Sequence, residues 1–151
     1  MKIMEKIVIQ SDISQQIEVE KFVSDICDIY NINNYAATIS MSILQAVENA
    51  IVHGNKNDSK KTVTVSFEKC RGGVAFSVSD QGSGFDFNNF SSNEPQGTGI
   101  FMMKTLSDKL SFSNNGSTVR MEFVINGIEA SRALERIVLL HNFYAPALVN
   151  A

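Results

Sequence analysis

Two strictly alternating segments limit this chain more than any other feature. "TVTVSFE", from Thr62 to Glu68, puts Val63, Val65 and Phe67 on one side, and "VAFSVSD", from Val74 to Asp80, does the same with Val74, Phe76 and Val78. A period of two is that of a half-buried strand. With Arg71-Gly72-Gly73 between them, the segments read as a hairpin with one apolar face. Helical patterns supply the cover. Val19, Phe22, Val23, Ile26, Ile29 and Tyr30 recur at helical spacing, and so do Ile39, Ile43, Leu44, Val47, Ala50 and Ile51 in a second helix from about Tyr35 to His53, which Gly54 ends. Ile3 and Lys6 to Ile9 suggest a first strand. Ser11-Asp12 or Ser14 can cap the first helix, and "NINN" at Asn31 to Asn34 breaks it and caps the second. A third helix is expected from about Ile100 to Leu110. A closing hairpin follows, from Leu110 to Ser113 and then "STVRMEFVI", turned by "NNG". This order predicts an α+β fold, a two-layer sandwich with helices packed on one face of a mixed, largely antiparallel sheet.

At 151 residues and 44% apolar composition, one domain can bury an ordinary core without metals or disulfides. A net charge of −3 provides no basic field for nucleic acid or an anionic membrane. Neither a signal peptide nor a membrane span is expected, so the expected compartment is cytoplasmic. Cys27 and Cys70 lack metal-ligand spacing; Cys27 reads as buried packing and Cys70 as incidental.

Three polar groups need a purpose. Asp80 stands at a strand end, with Gly82 and Gly84 after it at alternate positions. Such glycines let a flat ligand approach, and the carboxylate can accept from an exocyclic amine, although the same pattern also makes an ordinary turn. Gly97-Thr98-Gly99 directly before a helix suits phosphates at a helix start, or else Thr98 is simply a helix cap. Gln45, Asn49 and His53 lie one turn apart on the second helix, as a polar stripe that is either a solvated face or a site. The Asn49 carbonyl is a ligand type that suits Mg2+ beside phosphates. The long loop "DQGSGFDFNNFSSNEPQGTG" is of a length that usually serves function.

Taken in order, Glu48-Asn49-Ala50 with His53-Gly54, Asp80-x-Gly-x-Gly-Phe85, and Gly97-Thr98-Gly99 resemble the ATP-binding fold shared by gyrase, heat-shock chaperones and histidine kinases. Within it the chain is most similar to the anti-sigma factor serine protein kinases, over about Ile7 to Ile125. The resemblance implies ATP and Mg2+ as cofactors. Asn49 would hold the metal, with His53 in the same box. Asp80 would read the adenine amine, Gly82 and Gly84 would floor the pocket beside Phe85, and Gly97, Thr98 and Gly99 would meet the phosphates under a lid from Asp86 to Gln96. It also implies a sigma factor and a protein antagonist as partners, phosphorylation of a serine on the antagonist, and a homodimer. Residues 1–126 would form the ATP-binding domain and 127–151 a C-terminal helical extension, amphipathic from Ile128 to Phe143.

One position departs from the family. Four residues before the magnesium asparagine the family has a glutamate that orients or deprotonates the attacking hydroxyl; here it is Gln45. An amide can orient but cannot take a proton, so binding is expected to survive and turnover to suffer. Glu48, next to Asn49, points away from the shared face. The two expectations are therefore a serine kinase, and a non-catalytic module in which ATP gates partner binding. A third, the catalytic half of a histidine kinase, finds no preceding helix pair with a phospho-accepting histidine; His53 lies within the nucleotide box and His141 near the end.

Overall fold

The computed structural model describes residues 5–89 and 95–125. In chain order they form β1 (Lys6–Gln10), α1 (Gln16–Ile29), α2 (Ala36–Asn49), β2 (Thr62–Cys70), β3 (Gly73–Ser79), α3 (Pro95–Leu106), β4 (Lys109–Ser113) and β5 (Thr118–Val124). The strands make one sheet in the order β1-β2-β3-β5-β4. Every ladder is antiparallel, where the sequence suggests a mixed sheet. The reason lies in the strand order. After α3 the chain enters β4 running in the direction of β3, but β5 inserts between these two strands and opposes both, so no parallel ladder forms.

The alternation works as expected. Val65, Val78 and Val119 stand in one cross-strand row, and Phe67, Phe76 and Met121 in the next, all buried. Against them α1 buries Val19, Phe22, Val23, Ile26 and Cys27, and α2 buries Ile39, Ile43, Ala46 and Val47. Tyr30, Phe67, Phe76 and Phe123 continue as a chain of tilted rings with centroids 5.1, 5.3 and 6.5 Å apart, a spacing at which aromatic edges meet faces favourably. Burial pushes the Cys27 thiol up to about 11, as fits a cysteine used for packing. The Ser42 hydroxyl donates to the Met121 sulfur at 3.0 Å and so gives a buried polar group on α2 a partner in the sheet.

The second face of the sheet is polar. Thr64, Ser79 and Thr118 form one row, Ser66, Ser77 and Arg120 the next, and Glu68, Ala75 and Glu122 a third. The Arg120 guanidinium donates to both Glu68 and Glu122 across Ala75, and Lys109 pairs with Glu122 at 3.7 Å. Pairs this exposed are screened by water and salt. Arg120→Ala is therefore expected to lower stability by no more than about 1 kcal/mol, measured by urea denaturation.

The helix ends depart in part from their local signals. Asp12 is the residue that caps the first helical segment: its carboxylate accepts from the Ser14 amide at 2.9 Å, opening a short 3-10 turn over Ile13–Gln15 that leads into α1. "NINN" breaks α1, with Asn31 in a left-handed conformation at φ 56°. It does not cap α2 as expected. Asn33–Tyr35 forms another 3-10 turn, and no side chain caps the α2 start. The second helix also ends earlier than its apolar pattern suggests, at Asn49. Ala50–Gly54 continues as a π turn, closed by the Asn55 amide on the Ala50 carbonyl at 2.8 Å. Such wide turns concentrate at functional sites.

The third helix starts at Pro95, not Ile100, and ends at Leu106, not Leu110. Glycine disfavours helix interiors, so the Gly97-Thr98-Gly99 run reads as a loop. Proline, however, is preorganised for the first helical position, and Gly99 is required for a close approach described below. Thr98 thus lies inside the helix and is not its cap. Of the expected lid, residues 90–94 lie outside the described residues, as does the expected C-terminal helix from Ile128 to Phe143.

Candidate functional site

The end of α2, the turn after β3, the start of α3 and the β4–β5 loop enclose a cleft of about 500 Å³, counting its open mouth. Asn49, His53, Asp80, Gly84 and Phe85, all singled out in the sequence, line it. Val78, Ile100, Met103, Phe112 and Val119 provide an apolar interior. An apolar interior with a few convergent polar groups is the usual form of a small-molecule site.

Asp80 is the charged group at its base. Its amide donates to the Ser117 carbonyl at 2.9 Å, and its Oδ1 accepts from the Gly82 amide at 2.8 Å. Burial raises its pKa above the ordinary 3.8, opposed by the Gly82 hydrogen bond and the positive charge of Lys61. Gly54 packs on the other carboxylate oxygen so closely that a methyl group there would overlap it. Gly82 thus supports Asp80 from behind, while Gly84 and Phe85 form a wall. Gly84 has φ 87°, and a side chain on it would strike the Asn115 carbonyl, which accepts from the Phe85 amide at 2.8 Å.

The raised pKa makes a signed prediction. The folded protein holds the Asp80 proton to higher pH than the unfolded chain does, so stability contributed by the protonated form is complete below about 3.8 and is lost as pH rises through the raised folded value. Asp80→Asn keeps an acceptor for the Gly82 amide and removes the buried charge. Its stability relative to the parent is therefore expected to be more favourable at pH 7 than at pH 3.5, read from thermal melts without nucleotide. A difference independent of pH would refute the assignment.

Gln45 and Asn49 meet the start of α3. A methyl group on Gly99 would stand 3.0 Å from the Asn49 side-chain nitrogen, 3.1 Å from its oxygen and 3.3 Å from the Gln45 side-chain oxygen. Both amides therefore face the same glycine, as their spacing of four predicts. Glu48 is exposed, away from that face. His53 reaches the cleft from the π turn and lines it together with Asn49, while Gln45, one turn earlier, meets Gly99 and does not line the cleft. Gly97 and Gly99 are buried in the first turns of α3; Gly97, its third residue, belongs to the stretch whose amides have no intrahelical carbonyl one turn behind them, whereas Gly99 stands one turn after Pro95.

Two parts of the site are not apparent from the sequence. "NNG" reads as a turn alone. In fact Asn114, Asn115 and Gly116 all take positive φ, at 52°, 59° and 91°, and fold the β4–β5 loop over Gly84–Phe85, so that Gly116 and Ser117 line the cleft. Phe112 meets Phe85 edge-on at 5.5 Å and stacks on Phe87 at 5.1 Å. Three consecutive residues able to take left-handed backbone were the available signal.

Three helices over a five-stranded antiparallel sheet, with a cleft between the end of α2 and the start of α3, define a histidine kinase-like ATPase domain. The sequence model of that family matches residues 9–123, and the chain belongs to it. Among individual proteins it is similar to the serine-protein kinase RsbW of Bacillus velezensis, at 28% identity over 103 residues, 59% of this chain and 64% of that protein. It is also similar to RsbW of Bacillus subtilis, at 26% over 103 residues with the same shares, and to the anti-sigma F factor of Clostridium perfringens, at 30% over 101 residues, 58% of this chain and 71% of that protein. The matched region thus spans just under two thirds of the length of the two kinases. Among the described residues, no helix is long and apolar enough to cross a membrane.

The cleft fits an adenine nucleotide on the chemistry of its donors and acceptors. A half-buried carboxylate with an apolar surround can accept from an amine. The Asn49 amide oxygen is a hard neutral ligand that can share Mg2+ with phosphate oxygens and water. Among the described residues no group of three or more His, Cys, Asp or Glu side chains is placed to hold a metal.

Proposed function

We propose that this chain is an ATP-binding regulatory protein of the anti-sigma factor serine kinase type. Asp80 reads the adenine amine, Gly84 walls the base beside Phe85, and Gly82 serves the pocket from behind by holding Asp80. Asn49 ligates Mg2+ with His53 alongside, and Gly97, Thr98 and Gly99 offer the phosphates the start of α3. The observation that carries this reading is Asp80, a carboxylate set at the base of the cleft by the Gly82 amide and backed by Gly54. Bound ATP supplies the transferable phosphoryl group, and Mg2+ neutralises charge on its phosphates. The protein orients the nucleotide, and Gln45, beside Asn49, accepts a hydrogen bond from the serine hydroxyl of a protein antagonist without taking its proton. A sigma factor is the second partner, and the working form is a cytoplasmic homodimer. Residues 1–126 carry the nucleotide and 127–151 form an added helix.

A second reading has its own support. Gln45 stands at the position of the family's general base, and Glu48 is exposed, which favours an ATP-gated binding module without phosphoryl transfer.

Calorimetric titration with ATP, with and without Mg2+, tests the site. Saturable binding assisted by Mg2+ is expected. Asp80→Asn should weaken it about 10- to 100-fold, the loss of one charge-assisted hydrogen bond of about 1.5–3 kcal/mol. No binding by the parent protein would sink both readings.

A further inference from the structure

We propose that Asn55 is a positioning residue of the nucleotide site, the clasp that holds the Asp80–Gly82 turn at the angle from which Asp80 discriminates a purine amine from a purine carbonyl. The proposal rests on the nucleotide reading above. Asn55 is 1% exposed, one of few buried polar side chains in the described core. Its amide is used at both ends. Nδ2 donates to the Ser11 hydroxyl at 2.8 Å and to the Thr62 carbonyl at 2.9 Å, while Oδ1 accepts from the Gln81 amide at 2.8 Å. The partners reinforce one another. The Ser11 hydroxyl donates to the Lys61 carbonyl at 2.9 Å, and the Gln81 side chain accepts from the Thr62 amide at 2.7 Å. One side chain thus joins the end of β1, the start of β2, the exit of the π turn and the residue between Asp80 and Gly82.

The location argues for more than fold stability. Gln81 and Asp80 are consecutive, so fixing the Gln81 amide fixes the peptide that leaves Asp80. The next amide, on Gly82, then meets the Asp80 carboxylate at 2.8 Å. On its other side Asn55 directly follows Gly54, the residue packed on that carboxylate. Asn55 therefore controls both walls between which Asp80 is held, without lining the cleft itself. Asn55 itself stands outside the apolar core cluster, and its side chain is engaged by hydrogen bonds.

A purine amine donates where the carbonyl of inosine triphosphate accepts, so the preference for ATP over inosine triphosphate reports how well Asp80 is aimed. The test measures both affinities by calorimetry on the full chain for the parent, Asn55→Ala and Ser11→Ala. Amide hydrogen exchange at Gln81 and Gly82 is followed by NMR without nucleotide. Asn55→Ala is expected to reduce the ATP preference by about tenfold or more and to speed exchange at Gln81, while amides of Val65 and Phe76 stay protected. Ser11→Ala, which leaves the Gln81 contact in place and removes one anchor, should shift both readouts the same way by roughly two- to fivefold. It keeps the test decisive should Asn55→Ala fail to fold. A parent that prefers ATP together with variants that keep the preference, or unchanged exchange at Gln81, would overturn the role of Asn55 alone. A parent that binds both nucleotides equally would overturn Asp80 as the reader of the amine and this proposal with it, and a parent that binds neither would overturn the nucleotide reading as well.

Discussion

Replacing Gln45 with glutamate is expected to raise phosphoryl transfer to the serine of a protein antagonist by roughly 10²- to 10⁴-fold, the usual contribution of a well-placed general base. That range corresponds to about 3 to 5 kcal/mol of barrier. The expectation depends on the geometry. The Gln45 and Asn49 amides converge on Gly99, so a carboxylate of the same length at position 45 would stand beside the proposed metal ligand, where the hydroxyl must be oriented. The change should be nearly neutral for folding. Gln45 is partly exposed and its replacement has the same shape, so stability should stay within about 0.5 kcal/mol of the parent. Single-turnover formation of ADP and phosphoserine, with the antagonist in excess, measures it. A jump in rate identifies a kinase limited by the loss of its base. A rate that stays flat while ATP binding is intact identifies the gated module, since positioning and metal charge would already be present without transfer.

Gly54→Ala is expected to damage binding and stability together. The added methyl group overlaps the Asp80 carboxylate, so either the carboxylate turns out of the cleft or the π turn shifts. Overpacking of this kind generally destabilises by about 1–3 kcal/mol. Misplacing Asp80 should further weaken ATP binding by at least about tenfold, since a charge-assisted hydrogen bond is lost. Gly72→Ala is the matched control. Gly72 has φ 78° in the β2–β3 turn with nothing within 4 Å of an added methyl group, so only backbone strain of about 1–2 kcal/mol is expected. ATP affinity should be unchanged there. Thermal melts and calorimetry on both variants separate the two effects. Equal affinities for Gly54→Ala and the parent would remove Asp80 from the site.

Much of this site is legible in the chain because its signals are local. The strands show their buried face through residues two apart, and the stripe Gln45, Asn49 and His53 shows through residues four apart; both periods follow from backbone geometry alone. Asp80-x-Gly-x-Gly marks a turn that only small residues allow. Structure and local pattern part where a distant contact overrides a local preference. Gly97 and Gly99 look like loop residues, yet α3 runs through them because Gly99 must let the Asn49 and Gln45 side chains approach. The α2 pattern continues smoothly to His53, yet the helix widens into a π turn after Asn49, where Gly54 packs against Asp80.

Asn55 and the Asn114–Gly116 loop show the same limit. The loop reads as an ordinary turn and Asn55 carries no signal of its own, because hydrogen bonds to Ser11, Thr62 and Gln81, or a seat over Gly84 and Phe85, leave no periodic trace in the sequence. The sequence by itself determined the helices and one-faced strands, the order of the three polar boxes, and the amide at position 45. Only the tertiary structure decided the strand order, the wall around Asp80 and the clasp behind it, because these are set by packing between segments far apart in the chain, where local propensity carries no information.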